Sequence, residues 1–160
     1  QMKWRGLQVR LYRKTSGGYA LSCANADAST VFDRLTARGT LFGLRLAGEK
    51  ALDTLLLEKG VAIPGIDWTP ARKPFADKPE SLAFHGLVLD SNETAPFSPV
   101  FMERQQVGMT ARSLYSPALR RAIALATFSA TPPEGALSVR YAGKGETREI
   151  AAHLVPLPFL

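Results

Sequence analysis

The stretch from Val107 to Phe128, VGMTARSLYSPALRRAIALATF, constrains the fold more than any other part of this sequence. Val107, Met109 and Ala111 alternate with Gly108, Thr110 and Arg112, the period-two pattern of a half-buried strand. Ser116-Pro117 then interrupts regular pairing, because proline donates no backbone hydrogen bond and restricts the residue before it. Ile123, Leu125 and Phe128 resume a buried run. The whole reads as strand, tight corner, strand, two neighbouring staves of a β-barrel.

The surrounding residues extend that pattern. Strand candidates fall at Leu82 to Leu89, Val100 to Met102, Val107 to Ser113, Ala118 to Phe128, Leu137 to Tyr141 and Glu149 to Val155. Pro132-Pro133-Glu134-Gly135 and Gly143-Lys144-Gly145-Glu146 supply turns between them. Residues 80–160 are therefore expected to form a small antiparallel β-barrel domain.

Residues 1–79 read differently. Leu7, Val9 and Leu11 alternate with Gln8, Arg10 and Tyr12, and Thr15-Ser16-Gly17-Gly18 leads into Tyr19 to Cys23, a β-hairpin signal. Asn25 or Asp27 is placed to cap a helix carrying Val31, Phe32 and Leu35 on one face, with Gly39 as its left-handed stop. Leu41 to Leu46 is a short apolar segment, and Glu49 to Lys59 is the strongest helix, with Leu52, Leu55, Leu56 and Leu57 inward and Gly60 as its stop. This order predicts an α+β segment, a partial ferredoxin-like layer, ahead of the barrel. Pro64, Gly65, Pro70, Pro74 and Pro79 punctuate a linker or lid, which puts the domain boundary near Pro79.

Composition narrows the function classes. The net charge of +6 favours an acidic partner, but Arg10, Arg13, Lys14, Arg72, Lys73, Arg120 and Arg121 are scattered and do not interleave with aromatics. A nucleic-acid partner is not expected, and an anionic small molecule or an acidic protein fits better. No apolar run approaches the roughly 20 residues of a membrane span. The single Cys23 and the widely separated His85 and His153 offer no zinc ligand cluster, and a reducing, cytoplasmic setting is expected.

No nucleophile elbow or phosphate loop is present. Glu58 is the unusual carboxylate, because it ends a Leu-rich helix where the dipole disfavours negative charge; either something holds it or it is solvated beside Lys59. Asp67 and Trp68 lie in the proline-rich segment, where Trp68 could stack on a flat ligand or plug the gap between two domains. Arg112, Arg120 and Arg121 could bind a carboxylate or lie on solvated strand faces.

Taken in order, Gly43-Leu44-Arg45, Ala51-Leu52-Asp53-Thr54-Leu55-Leu56-Leu57-Glu58-Lys59-Gly60 and Pro64-Gly65-Ile66-Asp67 resemble the helix and loop of the glycine cleavage T-protein (aminomethyltransferase) family. Val107-Gly108-Met109-Thr110, Ser116-Pro117-Ala118-Leu119 and Ala122-Ile123-Ala124-Leu125-Ala126 are similar to its C-terminal barrel motif. Pro156-Leu157-Pro158-Phe159 resembles its terminal Pro-Phe, and Gly17-Gly18-Tyr19-Ala20-Leu21 its Gly-Tyr-Glu-Leu strand.

The resemblance implies three domains around a central tetrahydrofolate pocket, of which this chain is the C-terminal part, and transfer of a one-carbon unit from an amine to tetrahydrofolate. It implies cofactor contacts at Glu58, Tyr19, Trp68, Arg112 and Tyr115, no catalytic residue here, and an N-terminal domain that carries the catalytic Asp; the basic charge adds an acidic carrier protein as a partner. Leu52 and Leu56 stand where the family has helix arginines, and the shortened hairpin at Lys14 to Gly18 lacks the family's pterin-binding Glu. A strand-containing stretch of the family is missing around Thr69 to Phe75. These departures open a second reading, a non-catalytic folate-binding or assembly module on the same scaffold. An unrelated two-domain binding protein is a third.

Overall fold

The computed structural model describes residues 2–4, 6–14, 17–68, 83–129, 131–143 and 145–160. The chain separates into two compact units, residues 1–48 and 49–160. The expected boundary at Pro79 and the missing stretch around Thr69 to Phe75 lie outside the described residues.

In the first unit, β1 (Met2–Trp4), β2 (Leu7–Arg13) and β3 (Tyr19–Cys23) form an antiparallel sheet in that order. Val9 pairs with Cys23 and Leu11 with Leu21, so the alternating apolar residues share one face, as the hairpin pattern predicts. Helix α1 (Ala28–Gly39) follows a short 3-10 turn. Asp27 sits at its N-cap without a side-chain hydrogen bond, so the expected cap is a positional one only. Of the expected helix face, Val31 is buried, while Phe32 and Leu35 are exposed. Gly39 is helical, and the left-handed stop falls instead on Gly43, at φ 76°. Glycine at position 39 serves a close approach: a Cβ there would lie 2.8 Å from the Leu44 side chain. Leu41 to Leu46 is a 3-10 turn followed by irregular chain, all of it exposed.

The second unit opens with α2 (Glu49–Glu58) and continues into β4 (His85–Leu89), β5 (Pro99–Met102), β6 (Gln105–Ser116), β7 (Arg121–Phe128), β8 (Leu137–Gly143) and β9 (Glu146–Val155). These six strands close an antiparallel barrel in the order β4-β7-β6-β5-β8-β9. Each predicted barrel strand is present, with its ends adjusted to the register of its partner. All but the first residue of β7 are buried, on both faces. Ala122, Ala124, Ala126 and Phe128 point into the barrel, where they meet Leu87, Val100, Val139 and Ile150. Ile123 and Leu125 point outward into a second core with Leu57 of α2 and Ala111, closed by Leu157 and Phe159. On β7 the positions facing the barrel interior are mostly alanine, interleaved with the larger side chains of the other strands, and those facing the helix are Ile123 and Leu125. Among the described residues no helix is long and apolar enough to cross a membrane.

Candidate functional site

Helix α2 ends in a Schellman motif. The Gly60 amide donates to the Leu57 carbonyl at 2.8 Å and the Val61 amide to Leu56 at 2.9 Å, with Gly60 at φ 66°. The face presented to the barrel carries Leu57 and Glu58, both buried, whereas Leu52 and Leu55, expected inward, are 44% and 46% exposed. Glu58 turns the helix to this face. Its carboxylate Oε1 accepts the hydroxyl of Ser116, at the end of β6, at 2.5 Å. Ser116 is fully buried, and its oxygen also accepts the Leu119 amide at 3.1 Å, which folds the Ser-Pro corner back on itself. Beside this contact lies a cleft of about 350 Å³ lined by Ala51, Thr54, Leu55, Glu58, Pro117 and Ala118.

A second polar contact fixes the loop that leaves α2. The Asp67 carboxylate accepts the Ile63 amide at 2.6 Å and faces the Arg112 guanidinium at 3.2 Å. Arg112 also donates to the Val61 carbonyl at 2.8 Å, so one side chain of β6 holds both ends of the loop. Burial pushes the Asp67 carboxyl above the ordinary range; the Ile63 amide and Arg112 act in the opposite direction. Among the described residues Asp67 Oδ1 and Arg112 Nε and Nη1 are buried without hydrogen-bond partners.

The placement of Arg112 corrects the strict alternation and the solvated strand face expected of it. Thr110 pairs with Ala126 and Ser113 with Ala124, so β6 carries an extra residue between them. This bulge brings Arg112 to the same side as Ala111, under the 61–67 loop. The structure thus brings Glu58 and Arg112 onto one side of β6, holding different parts of α2 and its loop. Tyr115 is 40% exposed on β6, and Trp68 is 36% exposed, bridged to Pro64 and next to Asp67. Tyr19 is 69% exposed on β3 of the first unit. Arg120 and Arg121 are exposed, with Arg121 paired to Asp90, which also meets His153 at 2.8 Å. The residue missed from sequence is Ser116, which reads only as a strand stop; its signal lay in its place beside the helix Glu among the resembling motifs.

No protein-family model matches the chain. It is similar to the trimethylamine-oxide aldolase of Ruegeria pomeroyi, at 28% identity over an alignment of 167 positions that covers 87% of this chain. The chain spans 21% of that relative's length.

Tetrahydrofolate asks of its site a carboxylate for the pterin N–H edge and cations for the glutamate tail. The cleft beside α2 supplies the carboxylate of Glu58 and no cation. Arg112, held through one nitrogen by Val61 and Asp67, does not line this cleft. The cleft by itself does not fit folate, and any folate pocket needs groups beyond it.

Proposed function

We propose that this chain is the C-terminal part of a tetrahydrofolate-dependent, aminomethyltransferase-like protein that transfers a one-carbon unit from an amine to tetrahydrofolate. The observation that carries the reading is the Glu58–Ser116 hydrogen bond at 2.5 Å. It joins the two segments, helix and Ser-Pro corner, whose motifs resemble the family independently in sequence, and it supports treating them as one scaffold. Similarity to a relative named for a methylated nitrogen compound supports the same chemical direction. Within this scaffold the residues of the chain have a positioning role: Glu58 and Arg112 lock the helix and its loop to the barrel, leaving Trp68 and Tyr115 accessible.

A second reading, a non-catalytic folate-binding or assembly module, is favoured by one feature. Leu52, where the family has an arginine, is 44% exposed and offers no bidentate pairing to an anion. Calorimetric titration of the full-length protein with 5-formyltetrahydrofolate tests both. Binding near micromolar concentration is expected, and its absence removes both readings. Binding without one-carbon transfer from methylated amines removes the catalytic one.

A further inference from the structure

Residues 1–48 carry eight Lys or Arg against two Asp or Glu, whereas residues 49–160 carry twelve of each, so the whole net charge of +6 lies in the first unit. Among the described residues, the most exposed large apolar side chains of that unit fall close together: Leu41, Phe42 and Leu46 are 81%, 88% and 70% exposed. Hydrogen bonds fix the turn that carries them. The Gly43 amide donates to the Thr40 carbonyl at 3.1 Å and the Leu44 amide to the Gly39 carbonyl at 2.9 Å, which ties the turn to the end of α1. Leu44 folds back against Gly39, while Leu41 and Phe42 face water. Arg38, in the last turn of α1, and Arg45 flank this tip; both are exposed, and among the described residues neither takes part in an ion pair.

We propose that residues 40–46 form a peripheral membrane anchor, in which Leu41, Phe42 and Leu46 enter the interface of an anionic bilayer while Arg38 and Arg45 meet the lipid phosphates. Three arguments select a lipid surface. Apolar side chains that project from a tight turn enter a fluid apolar phase without needing a matching groove on the partner. Arginines beside such a tip lay their aliphatic stems along the apolar surface and keep the guanidinium at headgroup level, where anionic lipid attracts it. A second copy of this chain is the poorer occupant, because it would bring one +6 charge against another. Peripheral association of this kind needs no membrane-spanning helix. The inference goes beyond the folate reading and involves none of Glu58, Tyr19, Trp68, Arg112 and Tyr115.

The test sediments the full-length protein with vesicles of phosphatidylcholine, with and without phosphatidylglycerol. Binding is expected to the mixed vesicles and should weaken as salt is raised. Phe42→Ser should weaken it about tenfold or more, the loss of an inserted aromatic side chain, with an unchanged circular dichroism spectrum. Arg45→Gln should weaken it about fivefold, the worth of one cation at an anionic surface. Arg104→Gln, which removes an exposed arginine of the second unit, should leave it unchanged. The proposal is overturned by absence of sedimentation, which would leave this face to an acidic protein, by equal binding to pure phosphatidylcholine, by unchanged binding of Phe42→Ser, or by equal losses in the two arginine variants. If Phe42→Ser does not fold, the arginine pair and the lipid comparison decide it.

Discussion

Among the described residues of 1–48 the buried apolar side chains are Val9 and Val31, whereas residues 49–160 bury one core inside the barrel and another between the barrel wall and α2. Leu11, Leu21, Phe32, Leu35, Leu41, Phe42 and Leu46 are all exposed in the first unit. Periodicity alone does not explain the contrast, since β2 alternates as cleanly as β6. Closure does. Every strand of the barrel has a neighbour on both sides, while β1 and β3 are each paired on one side. A patterned face stabilises a unit only where another layer covers it, at about 1.5–3 kcal/mol for a fully buried Leu or Phe.

The contrast can be broken most directly in the outer core. Leu125→Ala removes a fully buried side chain packed with Leu57 and Ile123, and should cost about 2–5 kcal/mol in urea denaturation. A loss below about 1 kcal/mol, the ordinary effect of an undistinguished substitution, would show the barrel wall to be as loosely covered as the first unit. A smaller effect tests whether the 61–67 loop is buried against the barrel. The Asp67 carboxyl is raised in the folded state, so its contribution is fully present below its unfolded pKa and is lost as pH rises through the folded value. Lowering the pH from 7 towards 4 should therefore shift stability in favour of the native protein over Asp67→Asn; a pH-independent difference would place Asp67 in water. The smallest effect belongs to the first unit. Phe42→Ser, at a side chain 88% exposed, should change stability by no more than about 0.5 kcal/mol, and a larger loss by the same denaturation assay would reveal a covering layer there.

The barrel was legible in sequence because strand alternation, turn residues and the Ser-Pro corner all agree on it. The helices were legible in position but not in orientation. The four leucines Leu52, Leu55, Leu56 and Leu57 predict one buried face, yet α2 is turned so that Glu58 goes inward, because a hydrogen bond to Ser116 is available on the barrel. That partner lies 58 residues away, beyond the reach of any local pattern. What the sequence did show was that Glu58 is badly placed against the helix dipole, which left it either held by a partner or solvated beside Lys59. Arg112 was obscured for a different reason: a single inserted residue reverses the face of everything after it, and period-two reading has no means of seeing a bulge.

The two-sided burial of β7 has a consequence for how the strand finds its place. Its alanines and its branched residues belong to two separate cores, so a shift of one position against β4 or β6 would drive Ile123 and Leu125 into the barrel lumen and leave the alanines beneath the helix. Overfilling one side and emptying the other are both penalised at once. The strand thus carries its own alignment check: the correct pairing is the one in which neither compartment objects.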